Sequence, residues 1–389
     1  MTLDLHIARP IAAVAAAGAE ATVRAPAPPS DFAVLVERVA IEEHPGADAL
    51  ELARIGDYLS VVRKDSLRTG DLVAYIPEQA LLPVPLQEEL GLVGRLSGKE
   101  KNRVKAIRLR GVLSQGICLK ARPHWSVGDD VTAELGIEKY EPVVPTHMSG
   151  AVWYAGPERT VTYGIPNIKR HPDAFVEGEL VSMTEKLHGT WCMFGWMPDS
   201  LVHPDFGRLV VASKGFAAKG FAFVPDDADA ETNLYLRVAR ALDIEGRFQR
   251  VFGAPEVPVF VLGEVFGEGV QDLGYGIKRK GASVPGFRAF DVRVGCRNQG
   301  AWLDDAELER VVAELGLSRV PVLYRGPFDP EVLAHFTAGR ETVSGHGVHV
   351  REGVVVRTLR ERTFGAHRRT QLKSINAAYL LRKGGTEFH

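Results

Sequence analysis

From Phe32 to about Val144 short apolar runs alternate with polar positions and break at turn signals. YLSVV, DLVAYI, KAIRLRGV and GICLKA are separated by HPGAD, RTGD and VGDD. Alternation of this length marks half-buried strands, and the regular turns predict a small all-β barrel. A Pro- and Gly-rich stretch, EPVVPTHMSGAVWYAGPERT, then reads as an interdomain linker or clamp. Beyond it, buried-type strands such as GELVSMTEK, RLVVAS, VPVFVLGEVFG, GFRAFDVRV and GVHVREGVVVRT alternate with helical periodicity at DAETNLYLRVARAL and DDAELERVVAELG. The expected organisation is a disordered Ala- and Pro-rich leader over residues 1–29, a β-domain over 30–145 and a larger α+β domain over 146–389.

The first domain looks like an oligonucleotide-binding (OB) fold, and EEHPGADALELARIG resembles the opening of the tRNA-binding version of that fold. Within it, SGKEKNRVKAIRLRG places Lys99, Lys101, Arg103 and Lys105 at every second position, which on a strand would put all four on one face. Arg108 and Arg110 fall on the opposite phase, so a bulge or loop must intervene. Two readings stand side by side: an edge strand protected by charge, and a surface that tracks phosphates.

At 389 residues the chain has room for two or three domains, and 45% apolar with 25% charged residues is ordinary for a soluble globular protein. The formal charge is −2, so any nucleic-acid footprint must be local. Cys118, Cys192 and Cys296 form no CxxC pair, which argues against a disulfide framework or a structural zinc and for a reducing, cytoplasmic setting. Glu20 and Arg24 interrupt the leader before it could span a bilayer, so no membrane association is expected.

The chemistry centres on VSMTEKLHGTWCMFG, residues 181–195. On a strand, Lys186 shares a face with Ser182 and Thr184, and Glu185 faces the other way with Val181 and Met183. A lysine becomes a nucleophile when its surroundings favour the neutral amine, and Gly189 would let the next backbone approach a phosphate. In GVHVREGVVVRT alternation places Glu352 in an apolar row with Val350, Val354 and Val356, so it needs a cation partner: a lysine, an arginine or a metal. Glu264 ends a second apolar strand, and Phe290 with Asp291 ends a third. Carboxylates, an aromatic plate and lysines delivered to one place suit adenylyl transfer. The carboxylates would hold Mg²⁺ against phosphates, the ring would stack on a purine, and the lysines would neutralise the transferred group.

The order of these motifs resembles that of the covalent nucleotidyltransferase superfamily, in the form of ATP-dependent RNA ligases of the Deinococcus type. TEKLHGT is similar to motif I, ASKG at 212–215 to motif Ia, GEVFG to motif III, FRAFDV to motif IIIa, REGVVV to motif IV and QLKSIN to motif V. The resemblance implies an OB-like barrel followed by an adenylation domain with antiparallel sheets, ATP with Mg²⁺ or Mn²⁺ as cofactors, and a monomer acting on RNA or an RNA-containing nicked duplex. It implies that Lys186 carries AMP and that Glu185, Gly189, Lys214, Glu264, Phe290 and Lys373 bind the nucleotide. Glu352, with Asp291, would bind metal, and Lys99, Lys101, Arg103 and Lys105 nucleic acid.

Departures from the pattern are specific. Lys214 stands where motif Ia often has Arg, and Ile375 stands where many relatives carry a second motif V lysine, so Arg368, Arg369 or Arg382 would have to compensate. Trp191 replaces the Asn of phage RNA ligases. His188 replaces the Asp of the KxDG form and is expected to pack and hydrogen-bond. Only residues 374–389 follow Lys373, too few for the C-terminal barrel of DNA ligases and capping enzymes. The competing readings are a capping-type guanylyltransferase and a non-catalytic RNA-binding protein.

Overall fold

The computed structural model describes residues 32–141, 145–225, 232–277, 285–365, 368–382 and 385. The leader lies outside these residues, as do positions 142–144 of the Pro- and Gly-rich connection and the start of the DAETNLYL segment.

The alternating runs of the first domain form β1 (Leu35–Arg38), β2 (Ala40–Glu43), β3 (Leu50–Ile55), β4 (Tyr58–Arg63), β5 (Leu72–Ile76), β6 (Ala80–Leu81), β7 (Ile107–Leu109), β8 (Val112–Ser114), β9 (Ile117–Lys120) and β10 (Glu138–Lys139). β5 lies between β1 and β9 in one antiparallel sheet, and β2, β3 and β4 form a meander. β6 pairs with β10 and β7 with β8. These ladders stay separate, so the expected barrel does not close. Period two accounts for the core: Val73 and Tyr75 of β5 join Ala53 and Ile55 on one side, and Ala74 and Ile76 join Val34, Val36 and Leu119 on the other.

The basic run is not a strand. Residues 98–101 form a turn whose ends are closed by Ser97 and Arg103, each backbone N–H donating to the other's carbonyl at 2.9 and 3.0 Å. Gly98 and Lys101 both take positive φ there, which breaks the alternation. Arg103 therefore turns inward: it is buried, donates to Gln79 and lies 3.7 Å from the centroid of the Tyr140 ring. Lys99, Lys101 and Lys105 stay exposed, as do Arg108 and Arg110 on the adjoining β7–β8 hairpin.

The second domain begins with β11 (Val152–Tyr154), β12 (Leu180–Lys186), β13 (Thr190–Trp196), β14 (Leu209–Ser213), β15 (Phe221–Phe223), β16 (Val259–Phe266), β17 (Gly286–Gly295) and β18 (Gly300–Trp302). It continues with β19 (Val322–Pro327), β20 (Gly353–Thr358), β21 (Thr363–Phe364), β22 (Arg368–Arg369) and β23 (Gln371–Ile375). Two antiparallel sheets dominate, ordered β19-β12-β20-β23 and β14-β13-β16-β17-β18. The outer face of the five-stranded sheet, with Phe194, Val261, Ala289 and Val292, is covered by the helices Leu234–Ala241, Ile244–Phe252 and Asp305–Glu314. Asn233 starts the first of these by accepting from the Tyr235 and Leu236 amides, each at 3.0 Å. Trp191, Met193, Ala212, Phe260 and Leu262 pack on the opposite face. No helix among the described residues is long and apolar enough to cross a membrane.

The OB domain is seated on residues 167–171 of the second domain. The Asp57 amide donates to the Lys169 carbonyl at 2.9 Å, Lys169 Nζ donates to Gln115 Oε1 at 2.5 Å, and Arg170 pairs with Glu37 at 3.2 Å. Gly56 has φ of 54°, and a Cβ there would collide with the Lys169 carbonyl oxygen. Gly56→Ala should therefore weaken the seat by roughly 1–3 kcal/mol and leave each domain folded. Limited proteolysis should then release two stable fragments, and a single cooperative unfolding transition with unchanged protease resistance would contradict this.

Candidate active site

β12 and β13 are consecutive strands that belong to different sheets, joined by residues 187–189. The chain switches sheets at Lys186, so its side chain stands where the two sheets part. A cleft of about 460 Å³ opens there, a volume suited to a nucleotide-sized ligand. The second domain supplies most of its wall, and residues of the OB domain, among them Tyr58, Tyr75, Glu78 and Gln79, add the rest.

Lys186 Nζ lies 2.6 Å from Glu352 Oε1. Register explains the meeting: Lys186 pairs with Gly353 across β12 and β20, which places the preceding Glu352 beside it. Glu352 is not within a strand row with Val350, because β20 begins only at Gly353. That glycine has φ of 150°, and a Cβ on it would strike the Ser374 carbonyl oxygen. The second Glu352 oxygen, Oε2, is buried without a hydrogen-bond partner.

Glu264 of β16 accepts from the Gly189 amide at 3.1 Å. Burial pushes its carboxyl up to about 8, with Lys186 opposing the shift and Glu352 adding to it. Gly189 serves β-pairing as well as the cleft, since a Cβ there would collide with the Val265 carbonyl oxygen. Glu185 is buried, and its Oε2 accepts from the Thr342 amide at 2.9 Å and the Thr342 hydroxyl at 2.5 Å. Burial raises the Glu185 carboxyl above its usual range, and its Oε1 has no hydrogen-bond partner.

Lys214, at the start of the short helix Lys214–Ala218, and Lys373 of β23 also line the cleft. Phe290 presents its ring beside Tyr163, with centroids 5.4 Å apart and planes at 32°. His188 packs and hydrogen-bonds behind the 187–189 connection. It contacts Asp272 at 2.7 Å through Nε2 and the Tyr379 hydroxyl at 2.8 Å through Nδ1, and its backbone amide donates to Tyr275.

Asp291 is not brought to this group. It is fully buried, accepts from the Tyr163 hydroxyl at 2.8 Å, and pairs with Arg357 at 3.5 Å and with Arg369. Burial alone would raise its carboxyl, but the two guanidiniums hold it below the usual range. A carboxylate so occupied anchors the sheet, contrary to the metal-binding role expected for Asp291. Tyr163, Gln271 and Thr342 were not anticipated as members of the site. They reach it from loops that carry no local signal, Gln271 by donating to the Gly189 carbonyl at 3.0 Å.

A family model described as RNA ligase matches residues 179–375, more than half of the chain, and an OB-fold domain model matches residues 33–121. The chain belongs to the RNA ligase family. No curated protein matches it. Among solved structures, a single-substitution variant of Naegleria gruberi RNA ligase with AMP and Mn aligns at TM-score 0.72 and 22% identity, over 89% of this chain and 97% of that one. A variant of the same ligase with ATP and Mn gives TM-score 0.73 at 22% identity, and the ligase with PPi gives 0.72 at 22%, each over 89% and 97% of the two chains. The architecture of two antiparallel sheets behind an N-terminal OB domain is thus shared.

The Glu264 carboxyl yields a pH prediction for the nucleotide-free protein. Its folded value of about 8 exceeds the ordinary 4.5, so the fold retains a proton that the unfolded chain has released. Stability from this group is complete below about 4.5 and lost as pH rises toward 8. Glu264→Gln, which stays neutral, should flatten the fall in urea stability between pH 5 and 8. An identical slope in the variant would refute the assignment.

Proposed function

We propose that this RNA ligase uses ATP to join an RNA 3′-hydroxyl to a 5′-phosphate through a lysyl-AMP on Lys186. The observation that carries the reading is Lys186 Nζ held 2.6 Å from Glu352 in a cleft that also contains Lys214, Lys373, Glu264 and Phe290. Lys186 nitrogen attacks the α-phosphorus, the bond to pyrophosphate breaks, and the amine proton has a carboxylate acceptor in Glu352. A 5′-phosphate oxygen then displaces Lys186 and takes the adenylyl group. The 3′-hydroxyl oxygen finally attacks that 5′-phosphorus, AMP departs, and the phosphodiester is closed. Lys214 and Lys373 offset the charge on the phosphates, and Phe290 offers a stacking face for the base.

Among the described residues no group of three His, Cys, Asp or Glu could hold a metal ion. A divalent ion that arrives with ATP needs fewer protein ligands, since Mg²⁺ commonly takes one or two carboxylates together with phosphate oxygens and water. The orphaned Glu352 Oε2 fits that role, and the ion would supply charge neutralisation at the phosphates. The Naegleria ligase structures with ATP, AMP and Mn support the same assignment of cofactors.

Glu185 Oε1, buried without a hydrogen-bond partner, is an acceptor available to the exocyclic amino group of a purine, and ATP is the nucleotide proposed here. With α-labelled nucleotides and Mg²⁺ or Mn²⁺, label should enter the protein from ATP and not from GTP; label from GTP alone would favour the capping-type reading.

Nicked duplexes fit the exposed cations of the OB domain, Lys99, Lys101 and Lys105, beside Arg108 and Arg110. The protein with Lys99, Lys101 and Lys105 all changed to Ala should bind a nicked RNA duplex at least about 10-fold more weakly at low salt and retain self-adenylylation. Unchanged binding would place the duplex elsewhere.

A further inference from the structure

Motif V has one lysine, Lys373, and Ile375 lines the cleft where a second cation would stand. Three arginines could replace that charge, and the structure separates them. Arg369 is bound by Asp291 and Glu361. Arg382 pairs with Asp272 at 3.0 Å and lies 3.6 Å from the centroid of the Tyr379 ring. Arg368 alone of the three lines the cleft.

Its surroundings differ in kind from those of the other two. Arg368 Nη1 donates to His171 Nε2 at 2.8 Å. A guanidinium only donates, so this ring nitrogen must be an unprotonated acceptor, and the partner is neutral. The imidazole is steadied edge-on by Phe364 of β21, with centroids 5.2 Å apart. No carboxylate among the described residues pairs with Arg368. By contrast, Lys186, Arg170, Arg357, Arg369 and Arg382 are each matched to an acid. A half-buried guanidinium aimed by a neutral ring retains its full charge for a ligand.

Position points to the same ligand class. His171 ends the segment whose Pro166 carbonyl accepts from the Lys373 amide at 2.8 Å and whose Asn167 bridges to Lys373. One short segment thus fixes both Lys373 and the partner of Arg368. We propose that Arg368 is a phosphate-binding residue of the ligase site and supplies the cation that Ile375 does not. The inference rests on the ligase reading above. The shared chemistry is a phosphate oxyanion, held bidentately, that belongs either to the nucleotide or to the 5′-phosphate of the RNA end.

Arg368→Ala and Arg368→Lys would be compared with the wild-type chain in two assays, with thermal unfolding alongside. One measures self-adenylylation from labelled ATP, and the other measures sealing of a nicked duplex carrying a pre-adenylylated 5′ end without ATP. Arg368→Ala should lose at least about 10-fold in rate, with partial recovery in Arg368→Lys and an unchanged melting temperature. Loss in the first assay assigns the nucleotide phosphates, and loss confined to the second assigns the RNA end. Should Arg368→Ala lower the melting temperature, the double variant Arg368→Ala, Ile375→Lys decides: recovered activity supports a phosphate contact. Rates within twofold of wild type in both assays, or a loss that neither lysine variant relieves, would overturn the proposal. A wild-type chain inactive in both assays would instead sink the ligase reading, and this inference with it.

Discussion

The ion pair between Lys186 and Glu352 is the constraint on which the rest of the site is built. It holds the amine of a partly exposed lysine against a carboxylate with little solvent around it. The pair exists because β12 ends where the chain changes sheets and β20 begins where Gly353 permits a close backbone approach. Glu352 is tied in turn to the last strand, since its carbonyl accepts from the Asn376 amide at 2.9 Å. Motifs far apart in the sequence therefore meet through strand register.

Behind the cleft a second charged layer keeps the sheets in place. Asp291, Arg357, Arg369 and Glu361 satisfy one another, with the Tyr163 hydroxyl completing the set. These contacts commit both Asp291 oxygens to guanidiniums and so fix the position of Asp291 behind the cleft. The cleft itself follows the opposite rule. Burial holds Glu264 protonated near neutral pH, and Glu185 and Glu352 each keep one oxygen without a hydrogen bond. Unsatisfied acceptors beside lysines are what a nucleotide with its metal would complete.

Much of this was legible in the residues themselves. Alternation located β5, β9, β12, β16 and β17, and Glu352 does meet a cation, Lys186, although β20 begins too late to place it in the expected apolar row. Lys186, Lys214, Glu264, Phe290 and Lys373 all reach one cleft, as their motif order implied. Alternation failed at Arg103, where Gly98 starts a turn, and at Val350, where no strand has yet begun. It also could not tell a carboxylate facing the cleft from one facing a buried pair of arginines, because Arg357 and Arg369 lie 66 and 78 residues from Asp291. The seat of the OB domain was equally hidden, since it joins a backbone contact of Asp57 and Lys169 to side-chain pairs, Lys169 with Gln115 and Arg170 with Glu37, that are 54 and more than 100 residues apart.

The most direct test of the account is to identify the atom that carries the nucleotide. The purified chain would be incubated with ATP and Mg²⁺ or Mn²⁺, digested, and its peptides mapped by mass spectrometry, with Lys186→Ala treated in parallel. The account predicts one AMP adduct, on the peptide containing Lys186, that pyrophosphate removes and the variant lacks. An adduct on any other residue, or none in protein first stripped of bound AMP, would contradict it.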